Sequence, residues 1–131
     1  MIGIVVVSHS AKVAEGVKEM AEQMSQGRVA IAAAGGVDDE TLGTNAERIF
    51  AALQAAYSPD GVLVLMDLGS AVMSAQMAIE MMDADQQEKI QMTDAPLVEG
   101  AIVAAVEASL GRGLDEVKKA AEAASTMRKI L

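Results

Sequence analysis

The chain has no cysteine and no tryptophan, and only one phenylalanine, one tyrosine and one histidine among its 131 residues. Without cysteine there are no disulfides, thiolate nucleophiles or cysteine-ligated metals, which fits a reducing compartment. The single histidine, His9, excludes the multi-histidine metal sites of zinc hydrolases. Any imidazole chemistry therefore belongs to His9. With aromatics at 2% and hydrophobic residues at 52%, the core has to be built from Ala, Val, Ile, Leu and Met. Basic residues are scarce: ten Lys and Arg against nineteen Asp and Glu give a formal charge of −9. Nucleic acids and anionic membrane surfaces recognise basic patches, so neither is expected as a partner, whereas a basic protein is. No stretch approaches the roughly 18 apolar residues of a spanning helix. Met1–Val7 is too short and lacks the basic start of a signal peptide. A cytoplasmic protein with one domain over residues 1–131 is expected.

The hydrophobic pattern alternates between two kinds of segment. Ile2–Val7 and Val62–Met66 are continuous aliphatic runs of the sort buried on both faces of a parallel sheet. Arg28–Ala34 and Lys89–Met92 read as weaker strands. Between them lie helical stripes. Val13, Val17, Met20 and Met24 follow Ser10 at an N-cap position, and Gly27 stands where a C-terminal glycine belongs. Leu42, Ala46, Ile49 and Leu53 accompany a capping box over Thr44–Glu47. Ala71–Met82 is apolar almost all round and should be well buried. Val98, Ile102, Ala105 and Ser109 follow Pro96, which is tolerated in a first helical turn. Asp115–Leu131 reads as a last amphipathic helix with Asp115 in register to pair with Lys119. The order βαβαβαβα plus a helix implies an α/β three-layer sandwich, with a mainly parallel central sheet and helices on both faces.

Ligands in such folds sit beyond the carboxyl ends of the strands. Three strand ends carry residues for which a core has no use: Ser8-His9-Ser10, Gly35-Gly36 and Asp67-Leu68-Gly69-Ser70. A lone loop histidine usually bonds locally. His9, between two hydroxyls at a strand-to-helix turn, can also be a nucleophile, because a neutral imidazole nitrogen carries a lone pair. Asp67 is either a polar strand end or the carboxylate that fixes one ring nitrogen and leaves the other free. Gly69, Ser70 and Ala71 open a helix whose N–H groups attract anions. Gly35 and Gly36 are a weaker addition to that cradle. Nucleophile, orienting acid and anion cradle, with no metal and no cofactor, match reversible phosphoryl capture by histidine. The Walker signature of nucleotide binding is absent.

Val6-Val7-Ser8-His9-Ser10, Ala33-Ala-Gly-Gly36, Leu65-Met-Asp-Leu-Gly-Ser-Ala71 and Ala95-Pro-Leu-Val-Glu-Gly100 occur in that order over roughly the whole chain. In this they resemble the DhaM family, the phosphotransferase subunits of phosphoenolpyruvate-dependent dihydroxyacetone kinases. That domain is similar to the IIA component of mannose-type sugar phosphotransferase systems. The resemblance implies phosphorylation of His9 by the carrier protein HPr and delivery of the phosphoryl group to ADP held by DhaL. DhaL in turn phosphorylates dihydroxyacetone on DhaK, an indirect partner. It also implies a homodimer. Sugar-specific relatives usually read Thr-His-Gly at the histidine and Gly-Gly-Ser-Pro after the aspartate. Ser8-His9-Ser10 and Leu68-Gly-Ser-Ala71 favour the kinase branch. Those relatives end in a swapped strand where this chain reads as helix, so their dimer geometry does not carry over. Some DhaM proteins append HPr-like and enzyme I-like domains. None follows Leu131, so the phosphate is expected from separate proteins. Three alternatives stand beside this reading: a sugar-transport IIA protein, a signalling module phosphorylated on Asp67, and a non-catalytic oligomerising domain. The second lacks the acidic cluster that would hold Mg²⁺ at the end of strand one.

Overall fold

The computed structural model describes residues 1–130. Four strands, β1 (Gly3–Ser8), β2 (Ile31–Gly35), β3 (Val62–Met66) and β4 (Ile90–Met92), form one sheet in the order β2-β1-β3-β4. All pairings are parallel, with Val6 opposite Ala33 on one side and Leu65 on the other. The helices are α1 (Ala11–Ser25), α2 (Ala46–Ala56), α3 (Gly69–Glu80), α4 (Ala84–Gln87), α5 (Leu97–Ser109) and α6 (Leu114–Ala123).

Alternation along the two central strands divides the core into two layers. Ile4, Val6, Leu63 and Leu65 face α1, α5 and α6. Val5, Val7, Val62 and Val64 face α2 and α3. The result is the expected three-layer α/β sandwich with helices on both faces. Every residue of β1 is buried, which is why Ile4–Val7 run as unbroken hydrocarbon. The chain leaves β1 toward β2 on one side and later crosses to β3 on the other. The order therefore reverses between β1 and β3, and a crevice opens at their carboxyl ends.

The helices turn different faces inward from those the large side chains suggest. In α1 the buried residues are Ala14, Val17, Ala21 and Ser25, while Val13, Met20 and Met24 are exposed. In α5, Gly100, Ala101, Ala104, Ala105 and Ala108 are buried and Val98 is exposed. In α3 only Ala71, Ala75 and Ala78 are buried, and Met73 and Met77, with Met81 just past its end, are exposed. The common cause is close packing of helix on sheet. In α5, for example, a Cβ on Gly100 would lie 3.2 Å from Leu65 Cδ2 of β3 and 2.8 Å from the Ala95 Cβ, so no larger residue fits there.

The short helix α4 has no counterpart in the expected order, α3 runs from Gly69 to Glu80 rather than from Ala71 to Met82, and other element ends differ as well. β2 begins at Ile31 rather than Arg28, and it includes Gly35. The N-cap of α2 is Asn45, whose side chain accepts from the amides of Glu47 and Arg48, so Thr44 is not the cap and Leu42 is exposed. Pro96 is the N-cap of α5 rather than a residue of its first turn. The last helix stops at Ala123, followed by a 3₁₀ turn over Ala124–Thr126, and Leu131 lies outside the described residues. Asp115 accepts from Gln91 Nε2 at 3.2 Å instead of pairing with Lys119. Gly27 closes α1 as expected, with φ 70° and its amide on the Glu22 carbonyl. No described helix is long and apolar enough to cross a membrane.

Candidate active site at the carboxyl ends of the central strands

In the β1–β3 register Val7 stands opposite Met66, so the next residues, Ser8 and Asp67, meet at the end of the ladder. Ser8 is buried, and Ser10 already caps α1 by accepting from the Val13 amide. His9 must therefore turn sharply between a strand and a helix, and Asp67 holds that turn closed. Asp67 Oδ2 accepts from the Ser8 hydroxyl at 2.7 Å and from the His9 amide at 2.9 Å. Asp67 Oδ1 accepts from the Leu68 amide at 2.7 Å and lies 2.9 Å from His9 Nδ1. A carboxylate only accepts, so the ring proton is assigned to Nδ1 and the lone pair to Nε2. The Ser70 hydroxyl stands 2.5 Å from Nε2 and is its donor. The His9 side chain is 26% exposed, so the ring is neither entombed nor free to swing away from the carboxylate.

Partial burial alone would raise the Asp67 pKa. The amide and ring of His9, the Ser8 hydroxyl and the Leu68 amide outweigh it and hold the carboxyl below the usual range. A carboxyl with a depressed folded pKa stabilises the fold fully above its unfolded value, about 3.9, and loses that contribution as pH falls through the folded value. Melting curves of the wild type and of Asp67→Asn should therefore differ by a constant amount above about pH 5 and converge below about pH 4. A gap unchanged down to pH 2 would show that the charge does not contribute.

The rest of the expected cradle is only partly assembled. Helix α3 starts at Gly69 with no side-chain cap, so the Gly69 and Ser70 amides have no acceptor among the described residues. Nothing lies within 4 Å of a Cβ built on Gly69, which leaves room for an anion. Ala71 drops out of the cradle: its amide donates to the Leu68 carbonyl and its side chain is fully buried. Gly35 and Gly36 serve packing instead. The Gly36 amide donates to the Ser8 carbonyl at 3.1 Å with φ 75°, and a Cβ on Gly35 would lie 2.3 Å from the Ser10 carbonyl oxygen. Gly35→Ala should therefore push the His9 turn outward and cost about 1–3 kcal/mol, seen as a lower melting temperature. An unchanged melting temperature would mean that the turn moves without cost.

Sequence reasoning missed three supports. The Ser8 hydroxyl also accepts from the Ser10 amide, and its one visible signal is a polar residue ending a fully buried strand. The Gly43 amide donates to the His9 carbonyl at 2.8 Å, folding the 37–45 loop against the turn. Arg48 donates to the Gly35 carbonyl and to Asp39. The last two join distant loops and leave no periodic trace.

The chain is similar to known proteins over most of its length. A family model described as the PTS system fructose IIA component matches residues 3–118. A phosphoryl donor subunit DhaM of phosphoenolpyruvate-dependent dihydroxyacetone kinase 2 from Listeria innocua is 44% identical over 107 residues, covering 82% of this chain and 86% of its own. The phosphotransferase subunit DhaM from Lactococcus lactis is 31% identical, with 92% and 93% covered. The phosphoryl donor subunit DhaM from Providencia stuartii is 42% identical over 127 residues, but the chain spans only 27% of its length. Among solved structures, the unknown function protein EF1359 superposes with a TM-score of 0.82 at 35% identity, covering 94% of this chain and 95% of that one. The dihydroxyacetone kinase of C. freundii gives a TM-score of 0.65 at 17% identity over 94% of this chain and 24% of its own, a likeness of fold alone. The chain belongs to the fructose IIA component family of the phosphotransferase system and, within it, groups with the DhaM subunits.

Proposed function

We propose that the chain is a phosphohistidine relay: His9 takes a phosphoryl group from phospho-HPr and passes it to ADP bound on DhaL, for transfer to dihydroxyacetone on DhaK. The observation that carries this reading is the 2.9 Å contact between Asp67 Oδ1 and His9 Nδ1, which assigns the ring proton to Nδ1. Asp67 holds Nδ1–H, so the only basic lone pair of the ring points outward on Nε2. In the first step that lone pair attacks phosphorus, the Nε2–P bond forms and the N–P bond of the donor breaks. The ring then carries positive charge, which the Asp67 carboxylate balances. The Ser70 hydroxyl turns from Nε2 to a phosphate oxygen, where the open Gly69 and Ser70 amides add donors at the positive end of α3. In the second step an oxygen of the ADP β-phosphate attacks and Nε2 leaves. The names of the relatives, phosphoryl donor subunits of dihydroxyacetone kinases, support the kinase destination. A homodimer and a cytoplasmic location complete the reading.

The test is a reconstituted relay of phosphoenolpyruvate, enzyme I, HPr and this protein. One acid-labile phosphate should appear, mapped to His9 by mass spectrometry, and adding DhaL with ADP should discharge it. A stable charge in the presence of DhaL and ADP would point to sugar transport instead. A phosphate mapped elsewhere would end the relay reading.

A further inference from the structure

The contacts of His9 contain a second constellation, built from the residues that the relay reading also uses. Ser70 Oγ lies 2.5 Å from His9 Nε2, and His9 Nδ1 lies 2.9 Å from Asp67 Oδ1. A hydroxyl on the lone-pair nitrogen of an imidazole, with a carboxylate on the other nitrogen, is the arrangement that activates a serine nucleophile. We propose that Ser70, His9 and Asp67 form a Ser-His-Asp triad that hydrolyses small carboxylic esters whenever His9 carries no phosphate.

Three further observations fit a hydrolytic site. Ser70 is exposed at the second position of α3, directly after the turn that follows β3. Its own amide and that of Gly69 lack an acceptor among the described residues, so two N–H groups at a helix N-terminus are free for an oxyanion. Beside Gly69 opens a cleft of about 300 Å³ with a mixed lining, Leu68, Val72 and Leu97 beside Asp67, Thr93 and Asp94, which has room for a small acyl group. The G-x-S-x-G elbow of α/β-hydrolases is absent, since Leu68-Gly69-Ser70-Ala71-Val72 replaces it. The geometry carries the proposal without that motif.

The chemistry balances without a cofactor. Ser70 Oγ attacks the ester carbonyl carbon as its proton moves to Nε2. The tetrahedral oxyanion faces the Gly69 and Ser70 amides. Collapse breaks the carbon–oxygen bond, and the alcohol leaves with the proton from Nε2. Water then attacks the Ser70 acyl ester, giving its proton to Nε2 and releasing the carboxylic acid as the proton returns to Ser70 Oγ. Because Nε2 is the base here and the phosphate acceptor in the relay, the two activities exclude one another.

The test treats the full, uncharged chain with p-nitrophenyl acetate and, separately, with phenylmethylsulfonyl fluoride. No phosphoryl donor is present, so the outcome does not depend on the relay. Nitrophenol release should be catalytic, and the sulfonyl adduct should map to Ser70 among all the serines. Ser70→Ala and His9→Gln, each confirmed folded by circular dichroism, should lower nitrophenol release about a hundredfold, and His9→Gln should also leave Ser70 unmodified. Turnover unchanged in Ser70→Ala would assign the chemistry to the bare imidazole and overturn the triad. So would a Ser70 adduct forming equally fast in His9→Gln, or none forming on Ser70 in the wild type.

Discussion

Replacing His9 by glutamine should abolish phosphate uptake while leaving the fold in place. His9 is the only imidazole in the chain, and an amide side chain has no nitrogen lone pair to offer phosphorus. No residual activity is expected, because the Ser70 hydroxyl has no base without the ring. The fold should tolerate the change. The ring contributes little core, and the His9 amide that closes the turn onto Asp67 Oδ2 belongs to the backbone. Glutamine can keep a donor near Asp67 Oδ1, so stability should change by about 1 kcal/mol or less. The measurement is incorporation of radiolabelled phosphate from phosphoenolpyruvate through enzyme I and HPr, beside a thermal melt. Labelling equal to wild type would remove His9 from the reaction. The same experiment separates the relay from a module phosphorylated on Asp67, which would still label, with a base-sensitive acyl phosphate. The structure disfavours that rival, since both Asp67 oxygens already hold two donors each.

How far such a site can be read from sequence depends on the range of its contacts. The strands were legible because β1 and β3 are buried on both faces and must be continuous hydrocarbon. Once those strands are parallel, Ser8-His9 and Asp67 are forced to one edge, so the meeting of His9 with Asp67 followed from topology. The helix faces were not legible in the same way. Val13, Met20 and Met24 make a better hydrophobic stripe than Ala14 and Ala21, but closeness to the sheet selects small side chains. Pattern reading weighs hydrophobicity and misses the distance between layers. The Ser8 hydroxyl contributes through two hydrogen bonds and the Gly43 amide through one, all fixed by how turns meet, and Gly35 through the absence of a Cβ. Ala71 looked equivalent to Ser70 in a helix opening, yet its amide is the first to be engaged inside the turn.

Asp67→Asn should slow phosphoryl transfer by two to four orders of magnitude and also weaken the fold. From sequence, a strand-end carboxylate supports no core and looks dispensable to folding. The geometry says otherwise. The backbone amides of His9 and Leu68 point at opposite oxygens of this one side chain. Asparagine offers one acceptor oxygen and one NH₂ group, so in either orientation its NH₂ faces a backbone N–H. A donor left without an acceptor at a partly buried site costs about 1–3 kcal/mol. The two orientations harm the chemistry differently. With NH₂ toward the ring, Nδ1 becomes the acceptor, the proton moves to Nε2 and the nucleophilic lone pair disappears. With the oxygen toward the ring the tautomer survives, but the charge that balances the phosphorylated ring is gone. Loss of an orienting and charge-balancing carboxylate is worth about 10²–10⁴ in rate. Ser70→Ala, which removes one neutral donor and leaves two amides beside the phosphate, should cost the relay only about tenfold. Single-turnover transfer from phospho-HPr, measured at pH 7 with melting curves in parallel, checks both halves. Transfer in Asp67→Asn within threefold of wild type would mean that Asp67 does not set the state of the ring, and that its four contacts do no more than close the turn.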